Sequence, residues 1–424
     1  MRKKSLFFGI ILVLMLNFMT VPASAALTFG DYEYELDGWN AVITKYIGTA
    51  EHVEIPAELD GIAVSEIGET AFAECTSVTS IVIPYGISTI AQRAFRGCAN
   101  LESITIPDSV TSIGEWAFNH CPKLLSITLP DSVTDIGEAA FYLCTGMTSV
   151  TLPKGITDIK DHTFSACESL VSIDIPDGVT SIGPRAFGYC LNLTSVTLPD
   201  SVQTIGEDAF YLCNKLTLVT IPKGVTSLDY GTFYTCATLK NVVFMNPETI
   251  IKEVGYTEPE KTVNGYAIGP IEHYPTFNEK LLSVYGFEGS TAHTFALNGG
   301  KTFIPIANVT LDGRLLSFDV PPQLIDARTM VPMRKIFEEL DAKVTWAENT
   351  QTITAVKGDI EIIMQVGNNE ITVNGKTIEL DVAPQLVNSR TLVPVRAVSE
   401  SLNADVQWDD QSKTVVITTS EQTK

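Results

Sequence analysis

Eight cysteines are the most reactive side chains of this sequence, and one constant interval separates them. They are Cys75, Cys98, Cys121, Cys144, Cys167, Cys190, Cys213 and Cys236, each 23 residues after the one before. An even number of cysteines predicts disulfides in an exported protein, and a cluster of thiolates can bind zinc. Which of these applies depends on where the chain places the eight side chains.

The five histidines show no spacing typical of metal ligands or of a catalytic site. They are His52, His120, His162, His273 and His293. The sequence has no G-x-S-x-G, H-E-x-x-H, phosphate-binding glycine loop or EF-hand pattern. An unconventional pair of carboxylates is the enzymatic alternative. We therefore predict no catalytic residue, no bound metal and no cofactor.

The same interval governs the chain well beyond the cysteines. A phenylalanine precedes each cysteine by three positions, at Phe72, Phe95, Phe118, Phe141, Phe164, Phe187, Phe210 and Phe233. The repeating pattern is L-x-S-I-x-I-P-x-x-V-T-x-I-G-x-x-A-F-x-x-C, and a fixed period of this length predicts a solenoid of stacked coils. The S-I-T-I-P segment predicts a short parallel strand with one buried face, ended by proline. The I-G-E-W-A-F segment predicts a short helical or 3₁₀ turn.

This arrangement gives the periodic cysteine a structural role. Cysteine is small and often buried, so one inward position in each coil can accept it every time. Parallel side chains on adjacent coils keep their Cβ atoms farther apart than the ~3.8 Å of a relaxed disulfide, and a one-dimensional row cannot bring four sulfurs onto one zinc ion. We expect free buried thiols, with disulfides as the alternative.

The order of strand, proline, V-T-x-I-G and A-F-x-x-C through eight units resembles the BspA-type leucine-rich repeats of bacterial surface and secreted proteins. The resemblance implies an N-terminal cap hairpin at 26–50, repeats at 51–245, and an irregular insertion with a C-terminal repeat or cap at 246–306. Proteins of this family are associated with adhesion to host or matrix proteins. The resemblance therefore implies a role in protein binding.

A second repeat begins after residue 307. Residues 328–355 realign with residues 390–417, and each copy predicts a β-β-α-β-β unit. Pro332 and Pro394 suit the first turn of each helix. The predicted fold class is therefore mixed α/β, with a leucine-rich repeat solenoid and parallel sheet followed by a small duplicated α+β domain. Residues 307–424 resemble the N-terminal stalk domain of copper amine oxidases.

The resemblance to amine oxidases does not imply their reaction. That chemistry belongs to a separate domain with three histidine copper ligands, and residues 294–424 contain no histidine. Arg328 and Arg390 are expected to hydrogen-bond backbone carbonyls or neighbouring acids. Trp346 and Trp408, which occupy equivalent positions, are expected to be buried in the core. The alternative for the tryptophans is an exposed platform on which sugars stack.

Two surfaces are candidates for binding. The polar residues on the predicted strands form the hydroxyl rows, which are Ser103, Thr105, Ser126, Thr128, Ser149, Thr151, Ser172, Asp174, Ser195 and Thr197. The turn candidates are the variable residues Trp116, Tyr142, Arg185, Tyr189, Tyr211 and Tyr234. Aromatic residues and arginine are the usual anchors of protein interfaces. The hydroxyl rows also have a simpler explanation, since Ser and Thr suit an exposed strand face.

The N-terminal residues predict export. Arg2, Lys3 and Lys4 precede an apolar run, and Ala23–Ala25 form a small-residue cleavage site, so residues 1–25 are expected to be a signal peptide. No comparable apolar run follows, which predicts no membrane span in the mature chain. The chain has 50 acidic and 28 basic residues, a balance that disfavours nucleic acid as a partner.

Together these features predict a secreted or cell-surface-associated, non-enzymatic binding protein of the adhesion type. Its partner would be an extracellular protein or a cell-wall or glycan ligand, recognised by the solenoid, and the protein itself is expected to be extracellular or associated with the cell wall. The first alternative is a structural spacer or accessory subunit of an extracellular enzyme or cell-wall assembly. A cryptic hydrolase is the third possibility.

Overall fold

The computed structural model describes residues 26–252, 261–263, 266–268, 276–277, 280–316, 318, 320–387 and 390–419, with backbone alone at 261–263 and 266–268. The predicted signal peptide at 1–25 lies outside the described residues, as does His273. The chain divides into two compact units. The first comprises the described residues up to Gly178 together with Ala186–Cys190, and the second comprises Val179–Arg185 and the described residues from Leu191 onward.

The first unit begins with three antiparallel strands, the last two of which form a hairpin. They are Leu27–Phe29, Tyr32–Asp37 and Asn40–Tyr46. Asp37 pairs with Asn40 across a tight turn in which Gly38 has a φ of 61°, a conformation that suits glycine. The strand Asn40–Tyr46 then pairs in parallel with Ile62–Ile67, so the hairpin continues directly into the first coil.

Each coil of the first unit contributes two short strands, which we call front and back. The front strands are His52–Glu54, Ser80–Val82, Ser103–Thr105, Ser126–Thr128, Ser149–Thr151 and Ser172–Asp174. The back strands are Ile62–Ile67 with its partner Glu58–Leu59, Thr89–Ile90, Ser112–Ile113, Asp135–Ile136 and Asp158–Ile159. Within each ladder, successive front strands or successive back strands pair in parallel, and each residue faces its counterpart in the next coil, as Ser126 does with Ser149. The predicted solenoid with parallel strand pairing is confirmed.

The front strands of the first unit do not form one continuous sheet. His52–Glu54, Ser80–Val82 and Ser103–Thr105 pair as a three-stranded ladder, and Ser126–Thr128 pairs separately with Ser149–Thr151. The register is nevertheless the same in both ladders. The equivalent residues of these coils therefore point in the same direction.

The third side of each coil is the turn segment, which runs from the residue five positions before each cysteine to that cysteine. The amides of Arg93 and Phe95 donate to the carbonyls of Glu115 and Ala117 on the next coil, at 2.9 and 2.8 Å. The amide of Ala94, which lies between them, bonds within its own coil at 3.3 Å. Arg93 has a φ of 56°, a conformation that directs its peptide group toward the neighbouring coil. The expected helical or 3₁₀ turn was wrong, because alternate amides bond between coils instead of within one.

The coils of the second unit have front and back strands of the same kind, and a short helix lies between the last two strands, Ser283–Gly286 and Thr302–Pro305. The strands are Ser181–Ile182, Ser195–Thr197, Thr204–Ile205, Leu218–Ile221, Ser227–Leu228, Asn241–Phe244, Ile250–Ile251, Lys261–Val263, Tyr266–Ile268, Ser283–Gly286 and Thr302–Pro305. The helix is Thr291–Asn298, and the Ser290 side chain caps it by accepting a hydrogen bond from the His293 amide at 3.1 Å.

The phenylalanine stack continues across the irregular segment. Phe277 follows Phe233 at nearly twice the usual interval between successive phenylalanines. Its ring nevertheless stacks on Phe233 with centroids 5.4 Å apart and an interplanar angle of 4°. Phe277 therefore occupies the phenylalanine position of the next coil.

The C-terminal part of the second unit is a domain of mainly antiparallel strands. Its strands are Asn308–Leu311, Arg314–Leu315, Gln323–Ile325, Arg328–Pro332, Lys343–Ala347, Thr352–Lys357, Ile360–Gln365, Glu370–Val373, Lys376–Glu379, Gln385–Val387, Arg390–Pro394, Ala404–Asp409 and Thr414–Thr419. Its helices are Met333–Glu339 and Val395–Ser401. Residues from both copies of the C-terminal repeat, including Phe337 and Val398, fill one core.

A local twofold relation links the two copies. The strands Arg328–Pro332 and Arg390–Pro394 are antiparallel, and Val331 pairs with Val393, its own equivalent in the other copy. The pairing is therefore centred on equivalent residues. Pro332 and Pro394 cap the helices one residue before they begin, instead of lying in the first turn as predicted.

Candidate functional site

The hydroxyl rows lie where the sequence places them. All ten residues are on front strands and all ten are exposed. In the first unit Thr128 pairs with Thr151 and Ser126 with Ser149, while Ile127 between them is buried. The rows therefore present a regular polar surface that repeats from one coil to the next.

The turn candidates lie on the turn segments, and the backbone there is unusual. Trp116, Arg185 and Tyr189 have φ values of 59°, 53° and 61°. Non-glycine residues in this left-handed region cost roughly 1–2 kcal/mol each. The amide ladder between coils offsets this cost, since it is made only when the turn segment adopts that conformation. Sequence reasoning missed this geometry. Gly97 and Gly231, which fill the same positions in other coils, were the available signal.

Three aromatic rings on turn segments of the first unit form a cluster, which we call the aromatic cluster. The Trp116 and Tyr142 ring centroids are 5.8 Å apart at 86°, and those of Tyr142 and His162 are 6.0 Å apart at 77°. Both pairs are edge-to-face contacts, a favoured geometry for aromatic rings. All three side chains are half-buried, so they are held in place while part of each ring faces solvent.

The turn candidates of the second unit include an arginine paired with a buried carboxylate and two further aromatic rings. The Arg185 Nε and Nη2 atoms donate to Asp208 Oδ2 at 3.0 and 2.8 Å. The Asp208 side chain is 4% exposed, whereas that of Arg185 is 50% exposed. The rings of Tyr211 and Tyr234 lie 6.1 Å apart and are half-buried. Tyr189, in the first unit, is 43% exposed.

The phenylalanines occupy the interior of the coils. All eight are fully buried, and in the first unit successive rings from Phe72 to Phe187 stack with centroids 5.1–5.7 Å apart. This spacing lies in the range in which offset stacked rings attract each other. The stack therefore joins each coil to its neighbours through side chains as well as through backbone.

None of the eight cysteines forms a disulfide, and seven of them are buried. Thiols along the stack donate a hydrogen bond to the phenylalanine carbonyl of the preceding coil, as Cys144 Sγ does to Phe118 O at 3.1 Å. This contact was not anticipated. It explains why cysteine recurs instead of alanine, because the S–H group is a small apolar group with one weak donor. Burial raises the pKa of the Cys190 thiol to about 12.

The four described histidines do not converge with other potential metal ligands. In the described part of the chain, no three His, Cys, Asp or Glu side chains are placed to hold a metal ion. His52 Nδ1 lies 2.8 Å from Ser80 Oγ, and the His293 ring stacks on Phe303 with centroids 4.1 Å apart. These contacts are structural. Among the described residues, no helix is both long and apolar enough to span a membrane.

Two tryptophans of the C-terminal domain are more exposed than the sequence predicts. Trp346 and Trp408 were expected in the core, but they are 37% and 38% exposed. Each lies opposite a buried residue, Ile353 or Val415, and so points to the inner face of its strand pair. It does so near the strand end, beyond the margin of the core. The position of that margin cannot be read from the alternation of residues.

The arginines that precede the two helices are surface residues. Arg328 Nε donates to Asp381 Oδ2 at 2.6 Å, and its Nη1 donates to the Ala327 carbonyl at 3.3 Å. Both kinds of partner were expected for this residue. Arg328 and Arg390 each line a surface groove together with the tryptophan and the helix of the opposite copy.

Comparisons with known families confirm both resemblances. The BspA type leucine-rich repeat region matches residues 65–193 and 157–258, and the copper amine oxidase N-terminal domain matches residues 310–417. A protease inhibitor of Brevibacillus choshinensis is 34% identical over 87 residues. That match covers 20% of this chain and 27% of the length of the relative.

Solved structures of bacterial leucine-rich repeat proteins are also similar. A leucine-rich repeat protein of T. pallidum is 31% identical, and the match covers 45% of this chain and 91% of that one with a TM-score of 0.43. One from Bacteroides ovatus is 24% identical over 61% of this chain and 70% of that one, with a TM-score of 0.46. A leucine-rich cell surface protein of Faecalibacterium prausnitzii is 23% identical over 52% and 89%, with a TM-score of 0.29.

Proposed function

Because the chain contains a BspA-type leucine-rich repeat region and a copper amine oxidase N-terminal domain, we propose that it is a non-enzymatic binding protein that acts outside the cytoplasm. It recognises an extracellular protein through the turn segments of its solenoid. The chain is secreted, or is retained at the cell surface or wall. Neither matching region is the catalytic domain of an amine oxidase.

The aromatic cluster is the observation that carries this proposal. Specific recognition needs a surface that varies, and the hydroxyl rows repeat nearly the same residues from coil to coil. At the turn position of Trp116, by contrast, the next coils carry Ala139, His162 and Arg185. Trp116 and His162 each contact Tyr142 and all three rings are partly exposed, and aromatic side chains are enriched at the centre of protein interfaces.

The rigidity of the turn segments supports the same surface. The inter-coil amide bonds hold their backbone, and the edge-to-face contacts hold the rings. Ordering flexible side chains costs about 0.5–1.5 kcal/mol for each residue on binding. Rings that are already held avoid most of this cost, so the aromatic cluster and its counterparts on later coils suit a binding role.

The experiment is a capture assay with the purified chain. The immobilised chain is exposed to a panel of extracellular matrix proteins, and dissociation constants are measured for those that bind. We expect the triple variant Tyr142→Ser, Tyr211→Ser and Tyr234→Ser to bind at least about 10-fold more weakly, because truncated aromatic anchors commonly cost more than 1 kcal/mol each.

The control is Tyr85→Ser, which removes a tyrosine that is 79% exposed and lies outside the turn segments. This variant should bind like the unmodified chain. Far-UV circular dichroism and melting temperature establish that each variant is folded. If the folded triple variant binds with unchanged affinity, the turn segments are not the recognition surface. If the unmodified chain binds no protein of the panel, the protein-binding role loses its support.

A further inference from the structure

The C-terminal domain lines two surface grooves that share a set of equivalent residues, and Glu288, Pro305 and Ile306 also line the larger one. The larger has a volume of about 890 Å³ and the smaller about 700 Å³. Every residue that lines the smaller groove has its equivalent, from the other copy of the repeat, in the lining of the larger. Seven of these pairs are identical in type: proline, tryptophan, leucine, threonine, glutamate and two arginines.

The local twofold relation explains how each groove is built. The smaller groove combines Trp346 and the helix of the first copy with Arg390 and Thr391 of the second. The larger groove makes the reciprocal combination, with Trp408 facing Arg328 and Thr329. Neither copy of the repeat contains a complete groove. The recurrence of the same side chains at both therefore reflects the grooves as well as the core.

The tryptophans give each groove an apolar wall. Both indoles lie just beyond the margin of the core and are just over one-third exposed, so part of each ring is covered by protein while another part faces the groove. The Trp408 Nε1 atom donates to Asp410 Oδ1 at 3.4 Å, and Lys413 Nζ donates to the same oxygen at 2.8 Å. These bonds orient the indole ring.

Several charged side chains of the grooves form ion pairs. Arg396 lies 3.8 Å from Glu400, and Arg334 lies 3.7 Å from Glu338, in equivalent positions on the two helices. Arg328 pairs with Asp381 at 2.6 Å. Such pairs offer strong donors and acceptors side by side without a large excess of either sign. A neutral ligand rich in hydroxyl groups can bond to both partners of a pair.

From these features we propose that each groove binds a pyranose unit of a neutral extracellular polysaccharide. The apolar face of the sugar ring, whose C–H groups are slightly positive, stacks on the negative face of the indole. The sugar hydroxyls bond to the paired arginine and glutamate. A proline-rich peptide fits less well, because such peptides dock on grooves lined by several aromatic rings. Trp346 or Trp408 is the one aromatic residue in its groove lining as described.

Two equivalent grooves on one domain also predict multivalent binding. A long polymer can occupy both, and the second contact then forms at a high effective concentration. The role is separate from the proposed recognition of proteins by the turn segments, and it would place the C-terminal domain on a glycan surface.

The test uses the full chain in two assays. Calorimetry measures its binding to cellohexaose, chitohexaose, xylohexaose and laminarihexaose in solution, and a pull-down measures its retention on the corresponding insoluble polymers. We expect binding to at least one glycan. The double variant Trp346→Ala and Trp408→Ala should lose it, and each single variant should bind the polymer about 10-fold more weakly. Trp39→Ala is the matched control, since this tryptophan is 80% exposed and lies in the N-terminal hairpin.

A second pair of variants guards against misfolding of the tryptophan variants. Arg334→Gln and Arg396→Gln change side chains that are well exposed, so the fold should be unaffected, yet glycan affinity should fall about 5-fold or more. The proposal is overturned if the unmodified chain binds none of the four glycans, or if the folded double tryptophan variant binds as well as the unmodified chain. Binding of a proline-rich peptide at the tryptophans without glycan binding would also overturn it.

Discussion

Replacement of Phe141 tests the coupling between coils most directly. Its ring lies between those of Phe118 and Phe164, with centroids 5.3 and 5.4 Å away and interplanar angles of 1° and 0°. The side chain is fully buried. Phe141→Ala removes the ring and leaves a cavity, and we expect the free energy of unfolding to fall by about 3–5 kcal/mol.

Phe141→Leu separates the stacking contribution from the cavity. Leucine fills much of the same space but makes no ring contact, and each ring pair contributes about 0.5–1.5 kcal/mol. The two pairs together predict a loss of about 1–3 kcal/mol for the leucine variant. The difference between the two variants then measures the cavity.

Urea unfolding followed by far-UV circular dichroism gives the free energies, and hydrogen exchange shows whether the loss is local to the neighbouring coils. Repeat proteins couple mainly to nearest neighbours, so exchange should rise first in the coils of Phe118 and Phe164. Leu125→Ala, an exposed position in the same unit, should change stability by less than about 0.5 kcal/mol. A leucine variant as stable as this control would refute the role of the ring stack.

Three further perturbations test the turn segments and the thiols. Arg185→Ala leaves the buried Asp208 carboxylate without its ion-pair partner and should lower the free energy of unfolding by about 2–3 kcal/mol, somewhat less than for a fully buried pair because the guanidinium is half exposed. Adding Asp208→Ala should recover part of this loss in urea titrations. An equal loss in the single and double variants would contradict the pairing. His120→Val should lower the melting temperature because valine tolerates a φ of 59° poorly. His120→Gly and the control Lys123→Val should leave the melting temperature unchanged. Equal melting temperatures for all three variants would argue against strain at this turn. Burial raises the pKa of the Cys190 thiol from 9.0 to about 12, so the folded state holds the thiol proton more tightly than the unfolded state does. The free energy of unfolding, followed by circular dichroism, should be constant below about pH 9 and should fall as the pH rises toward 12. A flat profile would mean that the thiol is not buried in solution.

The coils could be predicted from the sequence because their signal is periodic. Eight recurrences of Phe and Cys at one interval leave few arrangements other than stacked coils, and burial of Phe141 follows from them. The periodicity carried less information about the turn segments. Their amides bond to the next coil only with residues such as Trp116 in a left-handed conformation, and glycine marks that conformation at just a few of the positions.

The grooves of the C-terminal domain could not be predicted for a different reason. Trp408 and Arg328 are distant in the sequence, and they meet only because the two copies of the repeat pair about Val331 and Val393. A repeat read along the chain shows which residues are equivalent, but it does not show that one copy completes the other. The exposure of Trp346 has the same origin, because it depends on where the shared core ends.

The pairing of front strands, back strands and turn segments between coils also constrains how such a chain can change in length. Each regular coil returns the backbone to its partners after 23 residues, so the loss of one residue from a strand or turn segment would put that coil out of register with its neighbours and turn buried side chains outward. Deletion of a whole unit, from Phe118 to the residue before Phe141 for example, would leave every kind of bond in place. Natural and engineered versions of this chain should therefore differ by complete repeats, or by additions that leave the strands and turn segments in register, as the longer interval between Phe233 and Phe277 does.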